Sequence, residues 1–471
     1  MQNRNHNINR PFPRPIPLKN LLGPSFIILA LGLGSGEVIL WPFLSANFGL
    51  GIAWGALLGI TFQFFINMEI ERYALIKGES VFVGLNKIFP WAAHWFIIST
   101  FVGFGLPGIV AASAHIIGFL FNIEDFRLIA VILLILIGLI LSIGKSVYTV
   151  MERLTKTIIF IGIPFIVILT FTLARSADWI SLGQGLVGIG NDYFLFPAGL
   201  VIATFFAAFA YSGAGGNLNL TQSIYIKEKG YGMGKYSQKI SGLFTNLKQN
   251  QHIKLEGEEF DLSSENVKNF EIWWKRINIE HFLIFWLVGI TGILTLMMLA
   301  FVTAFGLDNN ATGINFVINE GMMIGEILHP LMGILFLVVA AVMLFQTQLG
   351  VLDSTSRIMA ENLAIKKLEK SQNQTINLSK VYFSFLWAQI LFGITLFALN
   401  ISEPKFLIVL GAVLNAIAMF IHIGLVNYMN NKALPMVFRP KIFRKIILSI
   451  IFSVFGIFSL VTILDNLKKI I

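Results

Sequence analysis

Long apolar segments with almost no charged residues recur along the whole sequence. Charged residues make up only 13% of the 471 positions, against about 25% in soluble globular domains. A chain so poor in charge cannot cover a globular surface, and several segments reach the roughly 20 residues that cross about 30 Å of hydrocarbon. We therefore predict an all-α, polytopic membrane protein with about eleven transmembrane helices. The segments lie near residues 24–46, 50–70, 92–121, 127–144, 157–174, 194–226, 281–305, 330–356, 381–400, 405–428 and 446–464.

The distribution of Lys and Arg predicts the orientation of these helices. If the N-terminus is cytoplasmic, 29 of the 34 Lys and Arg residues lie on the cytoplasmic side, as the positive-inside rule requires. The net charge of +9 then faces anionic lipid and argues against a nucleic-acid partner. Residues 1–20 are polar, basic and rich in proline, so we predict a retained first helix rather than a secretory leader. The expected location is the cell membrane.

Two apolar segments contain clusters of glycine and polar residues that interrupt a helix. The first segment reads Gly34, Ser35, Gly36, Glu37, and the sixth contains the run 211–219. Irregular backbone at membrane depth is tolerated only where it is buried or lines a cavity. The first and sixth segments each open a group of five, and because five is odd the two groups cross the bilayer in opposite directions. This pattern predicts an inverted-repeat secondary transporter with a site between two broken helices.

The alternative is that these glycines only allow close packing of helices. Glu37 favours a site, because an ionisable side chain at bilayer depth is costly and usually functional, although it could instead pair with a neighbouring donor for structure alone. The residues predicted to bind substrate or ion are Gly34, Ser35, Gly36, Glu37, Gly213, Ala214, Gly215 and Asn217.

Two further polar residues are secondary candidates. Asp353 shares a helical face with Gln346, Gly350 and Arg357; this face either lines a cavity or carries an intrahelical Asp353–Arg357 pair at the cytoplasmic end. Asn415 in the tenth segment is either a ligand or an interhelical hydrogen-bonding group.

The sequence divides into a tail, a core and a final helix. The longest polar insertion ends in Trp273 and Trp274 and is either a cytoplasmic loop with an interfacial aromatic anchor or a docking or regulatory loop. The predicted units are a cytoplasmic tail 1–20, a transporter core 21–429 with repeats 21–175 and 194–429 and the loop 227–280, and a cytoplasmic linker with the eleventh helix in 430–471.

Several stretches resemble the natural resistance-associated macrophage protein (Nramp) transporters of divalent metals and protons. The family's first helix is resembled by Leu22-Gly23-Pro24 before the interrupted first segment and by Asn47-Phe48-Gly49 after it. Residues 217–223 resemble the family's sixth helix, and residues 350–362 resemble its eighth. The resemblance implies a LeuT-like fold, eleven or twelve helices and alternating access. However, Gly34 to Glu37 stand where the family has Asp-Pro-Gly-Asn, and Ala214 to Gly216 where it has Met-Pro-His.

These departures change the expected chemistry. Without the methionine sulfur, Glu37 and Asn217 are the remaining candidate metal ligands, and oxygen donors suit hard cations such as magnesium and calcium. We expect a transporter of a divalent or other inorganic cation, with a co-transported proton as a further possibility. The alternative is a LeuT-fold symporter of a small organic solute coupled to sodium or protons. The chain contains no Cys and no catalytic motif was found, so neither an enzyme nor a cofactor is predicted.

Overall fold

The computed structural model describes residues 10–21, 23–143, 147–237, 254–370 and 376–468, and its regular elements there are helices. Three parts of the predicted units lie outside these residues: the tail before Arg10, Leu22 of the Nramp-like opening, and the middle of the loop 227–280. Nine helices in the described part are long and apolar enough to cross a membrane. They are Pro24–Phe48, Leu50–Lys77, Ala92–Leu120, Glu152–Leu173, Ser264–Ala304, Pro330–Glu369, Leu378–Ala398, Pro404–Ala433 and Ile442–Leu464.

Two further spans complete the set. Arg127–Ile143 is apolar but only 17 residues long, and the sixth span is split into Ile202–Ala210 and Thr221–Lys229. We number the eleven spans 1 to 11 in chain order. Together they confirm the predicted all-α, polytopic membrane architecture.

Side chains on the outside of the bundle are apolar, as contact with lipid requires. Phe160 and Phe171 of span 5 and Ile457 of span 11 are each more than 60% exposed. Many polar side chains of the spans, such as Gln63, Asn217 and Asn415, lie inside instead, where other helices can satisfy them.

Several spans are longer than their apolar segments. Span 7 begins at Ser264, and the helix of span 8 continues to Lys370. The predicted loop 227–280 was therefore too long: its end is helical, and its first residues belong to span 6. Trp273, predicted as an interfacial anchor, is fully buried. A hydropathy profile places the end of a span at its first charged residue. The helix itself continues past that residue when its charge is paired inside the protein.

The N-terminal strap, residues 10–17, crosses the face of the bundle at which span 1 begins. Phe12 is buried against Phe260 and Phe270. The indole N–H of Trp273 donates to the Pro13 carbonyl at 2.9 Å, and Arg276 donates to the Pro15 and Ile16 carbonyls. The prolines have no backbone N–H, so the strap cannot pair its own carbonyl groups in regular secondary structure. Side chains of span 7 donate to these carbonyl groups instead.

Three spans are broken. The interruptions of spans 1 and 6 confirm the prediction, although the irregular part of span 1 is short. Span 3 is also broken, between Ala92–Phe104 and Gly108–Leu120, at Gly105-Leu106-Pro107. This span was predicted to be continuous, although Pro107 lacks the N–H that a continuous helix needs.

Candidate functional site

Span 1 is interrupted by a turn and then by a widened helical turn. The helix Pro24–Gly32 ends, Leu33 and Gly34 form a turn, and Ser35–Leu40 continues as π-helix before Trp41–Phe48. Single π-helical turns in α-helices occur frequently at functional sites. Glu37 lies in this turn.

Span 6 is interrupted by a stretch that needs glycine. Its first half ends at Ala210, and Gly213, Gly215 and Gly216 follow with φ of 122°, 66° and 53°. Residues with a Cβ rarely adopt this backbone conformation. A 3₁₀ turn, Gly216–Leu220, then leads into the second half.

The two interruptions are in contact. A Cβ on Gly32 would lie 2.5 Å from the Gly213 carbonyl oxygen, and one on Gly36 would overlap the Tyr211 carbonyl oxygen. A Cβ on Gly34 would meet the Thr347 hydroxyl of span 8 at 2.5 Å. The glycines of span 1 thus let its backbone reach spans 6 and 8, and the structure brings the two predicted clusters together.

The Glu37 carboxylate is completely buried beside this contact. Its exposure is 0%, and neither oxygen has a side-chain hydrogen-bond partner among the described residues; only the backbone N–H groups of Glu37 itself and Gly213 face it. Burying an ionised carboxylate without a partner is strongly unfavourable. A cation or a proton at Glu37 would remove this cost.

Two buried asparagines present free acceptor oxygens. The Asn217 amide donates to the hydroxyls of Ser99 and Thr100 at 2.8 and 3.0 Å. The Asn415 amide donates to the Gly103 carbonyl and the Tyr211 hydroxyl, both at 2.8 Å. In both residues the Oδ1 atom is buried and has no partner in the described part of the chain. Asn415 is thus the interhelical hydrogen-bonding group that its position suggested, and it retains an oxygen for a ligand.

Gln63 of span 2 holds the interruption of span 6 in place. Its amide donates to the Ala210 carbonyl at 2.8 Å, and its oxygen accepts from Gly215 N–H and the Asn219 amide at 3.1 Å each. The irregular backbone is therefore satisfied by a side chain from a neighbouring span, as burial demands.

The break of span 3 faces the same region. A cavity of about 10 Å³ lies between Gly103, Leu106 and Gly108 of span 3, Tyr211, Gln348 of span 8 and Gly411 of span 10. This volume is close to the minimum that holds one water molecule. Gln348 also accepts a hydrogen bond from Val110 N–H at 3.3 Å, in the first turn after the break.

Asp353 belongs to a different group of residues. Its carboxylate accepts from Arg357 at 2.8 Å and from the hydroxyls of Tyr225 and Tyr382 at 3.2 and 2.8 Å. Arg357 also binds Glu228 of span 6. Asp353 and Arg357 form the intrahelical pair that their spacing allowed, but both are fully buried, so Arg357 does not lie at an exposed helix end.

The remaining candidates Ser35 and Ala214 are buried within the two interruptions. In the described residues, no three His, Asp or Glu side chains converge closely enough to hold a metal ion. A cation here would therefore be bound by one carboxylate together with amide and backbone oxygens. Tyr211 belongs to the interrupted run 211–219 but was not predicted as a site residue, and Thr347 was not predicted at all, because neither residue type signals its position in three dimensions.

Comparison with known proteins identifies the fold. No protein-family model and no curated protein matches the sequence significantly. A single-substitution variant of the Eremococcus coleocola manganese transporter has a similar structure, with a TM-score of 0.68 at 13% identity over 93% of this chain and 85% of that chain. The chain has a LeuT-type transporter fold.

Two other solved transporters share this fold at lower similarity. Mhp1, a nucleobase-cation-symport-1 family transporter, gives a TM-score of 0.52 at 14% identity over 95% of this chain and 92% of that chain. MhsT in complex with L-phenylalanine gives 0.50 at 13% identity over 93% and 97%. The expected arrangement with broken helices 1 and 6 is confirmed, and the resemblance to Nramp transporters is supported at the level of fold.

Proposed function

We propose that this protein is a secondary-active transporter of a divalent or other inorganic cation that works by alternating access. One observation carries the proposal: the Glu37 carboxylate is fully buried where the interruptions of spans 1 and 6 meet, and no side chain among the described residues pairs with it. Inverted-repeat transporters place substrate and coupling-ion sites between such broken helices. Glu37 is the proposed ion or proton site.

The donor atoms favour a hard cation. Glu37, Asn217 and Asn415 present only oxygens, and hard cations such as Mg²⁺ and Ca²⁺ prefer oxygen ligands. The described site contains no methionine or histidine in the positions where the Nramp pattern has them. We therefore expect Mg²⁺ or Ca²⁺ to compete well against Mn²⁺, unlike in a site with a soft sulfur ligand.

A small organic solute is the second candidate substrate. The fold it shares with MhsT, solved with L-phenylalanine, and with Mhp1, solved with bromovinylhydantoin, supports this alternative.

We further propose that the N-terminus is cytoplasmic and that the protein lies in the cell membrane. The excess of Lys and Arg on the side of the N-terminus supports this orientation. Trypsin cleavage after the exposed Lys19 in inside-out, but not right-side-out, vesicles would test it.

Uptake into reconstituted vesicles tests the substrate. Vesicles containing the protein are loaded with Mg²⁺, Ca²⁺ or Mn²⁺ indicators, and each cation is challenged with an excess of the others and of amino acids. We expect uptake of a hard cation that excess Mn²⁺ does not abolish. Manganese uptake that resists excess Mg²⁺ and Ca²⁺ would overturn the hard-cation assignment, and uptake of an organic solute without any cation preference would favour the second candidate.

A further inference from the structure

A second group of buried ionisable side chains lies apart from Glu37, at the face where span 1 begins. Glu71 comes from span 2, Glu280 and His281 from span 7, Ser25 from span 1 and Gln222 from span 6. Each is at most 5% exposed. We call these five residues the Glu71–Glu280 cluster.

A continuous chain of polar contacts joins the two carboxylates. The Gln222 amide donates to Glu71 at 2.5 Å, and His281 Nδ1 lies 3.3 Å from the same Glu71 oxygen. His281 Nδ1 is also 2.8 Å from the Ser25 hydroxyl, which donates to Glu280 at 2.5 Å. When Glu280 is ionised, Ser25 uses its only hydrogen for Glu280 and accepts from His281, so Nδ1 carries a hydrogen; when Glu280 is protonated, it donates to Ser25, and Ser25 donates to Nδ1.

The cluster retains unused polar atoms. Oε2 of Glu71, Oε1 of Glu280 and Nε2 of His281 are buried and have no hydrogen-bond partner among the described residues. Two carboxylates so close together, both ionised and out of water, would repel each other and lack the donors that stabilise charge. A bound proton relieves both costs.

Other charged groups nearby are engaged with each other. Lys156 of span 5 acts on Glu280 but pairs with Glu152 at 2.7 Å. Lys229 at the end of span 6 also pairs with Glu152 at 2.7 Å, and the buried Tyr231 follows span 6 on the same side. On span 2, Glu69 pairs with Arg72 at 2.8 Å and with Arg444 of span 11 at 3.3 Å.

Direct contact also leaves no space for a metal ion between Glu280 and His281. The Ser25 hydroxyl occupies that position, at hydrogen-bonding distance from both. The described His, Asp and Glu residues form no group of three that could bind a metal. The ligand that this geometry fits is a proton.

We propose that the Glu71–Glu280 cluster binds a proton that its two carboxylates share through His281 and Ser25, at a site separate from Glu37. The binding itself does not depend on the protein's substrate. The coupling of this proton to transport rests on the proposed function.

The cluster connects the halves of the broken spans to their neighbours. Ser25 lies at the start of span 1 and Gln222 in the second half of span 6, whereas Glu71 and Glu280 lie on spans 2 and 7. Loss of the proton leaves like charges among these four spans. Protonation therefore stabilises the packed arrangement of this face, and deprotonation favours its opening.

A stacked pair of rings links the cluster to the interruption of span 6. The His281 ring stacks on Phe285 at 4.7 Å between centroids, and a Cβ on Gly213 would lie 2.8 Å from the Phe285 ring. A movement of His281 on proton loss would therefore shift Phe285 against Gly213, close to Glu37.

Infrared difference titration of the purified full-length protein tests the proposal without any transport measurement. The wild type should show an absorption of protonated carboxyl groups that is lost as the pH rises. Glu71→Gln and Glu280→Gln should each reduce this signal or shift its midpoint. The double variant should lose the part of the signal that these two residues contribute and keep the part that other buried carboxyl groups, such as Glu37 and Glu320, contribute. The matched control is Glu69→Gln, two residues from Glu71, which forms ion pairs with Arg72 and Arg444 and does not contact the cluster; it should leave the signal unchanged.

Two results would overturn the proposal. One is a protonated-carboxyl signal that is identical in the wild type and the double variant, with size-exclusion chromatography showing that both are folded. The other is a carboxylate signal that responds to sodium but not to pH, which would make the cluster a metal-ion site. Failure of cation uptake in vesicles would contradict the proposed function and leave the titration result standing.

Discussion

The Asn415 side chain of span 10 donates a hydrogen bond of 2.8 Å to the Tyr211 hydroxyl, at the point where the first half of span 6 ends. The same amide donates to the Gly103 carbonyl, just before the break of span 3. One asparagine therefore connects two of the three broken spans and fixes Tyr211 at the edge of the small cavity.

Tyr211→Phe removes the acceptor and leaves one buried Asn415 N–H without a partner. We expect a loss of about 1–3 kcal/mol in the free energy of unfolding and a several-fold fall in uptake. Thermal unfolding in detergent and vesicle uptake measure the two effects. Tyr428→Phe, at a half-exposed position, is the control and should change neither; an unaffected Tyr211→Phe protein would show that this bond does not organise the site.

Gly36→Ala tests the contact between the two interruptions. The added methyl group would overlap the Tyr211 carbonyl oxygen, which is backbone and cannot rotate away. Overpacking of this kind costs about 1–3 kcal/mol, so we expect lower thermal stability and loss of uptake. Gly183→Ala is the matched control, since its Cβ meets nothing within 4 Å; normal uptake by Gly36→Ala would mean that spans 1 and 6 do not meet as described.

Glu37→Gln keeps the side-chain size but removes the charge and the titratable proton. We expect cation uptake to fall to background while the folded protein is retained or even stabilised, because no unpaired carboxylate remains buried. Uptake and its pH dependence are measured in reconstituted vesicles. Glu320→Gln removes another buried carboxyl group, on the connecting helix Asn315–Ile327, and should retain uptake; transport that persists unchanged in Glu37→Gln would make Glu37 structural.

Arg357→Met tests the buried ion pairs between spans 6 and 8. It leaves Asp353 and Glu228 without their cation, and breaking a buried pair in this way costs about 3–5 kcal/mol. We expect a large drop in the thermal unfolding temperature. Arg127→Met removes an exposed partner of Asp125 and should leave the unfolding temperature nearly unchanged, because exposed ion pairs stabilise little; equal effects of the two changes would argue that Arg357 is not buried.

Phe12→Ala tests the docking of the N-terminal strap. Removing a buried phenylalanine side chain costs about 3–5 kcal/mol, enough to release the strap from Phe260 and Phe270. We expect much faster hydrogen exchange at the backbone N–H groups of positions 10 and 12, which bond to the Glu259 carbonyl and the Asn266 side chain when the strap is docked. Arg14→Ala, at an exposed position of the same segment, should exchange at the wild-type rate; equal exchange in both variants would show that Phe12 does not hold the strap.

The sequence alone determined the helical membrane architecture and the two interruptions with Glu37. Both depend on local physics: a long apolar segment must be a helix in lipid because no water satisfies its backbone, and dense glycines weaken a helix wherever they occur. Even the break of span 3 was present locally, as Gly105-Leu106-Pro107.

The tertiary structure decided which polar residues meet. Asp353 shares a helix with Thr347, yet Thr347 contacts Gly34 whereas Asp353 joins Arg357, Glu228 and two tyrosines. Glu71 and Glu280 are 209 positions apart and appeared to lie in loops, but they are buried on either side of Ser25. Charges from distant parts of the chain pair in the interior, and this pairing compensates the cost of removing them from water. Such a partner is supplied only by folding, so no local stretch of sequence reveals it.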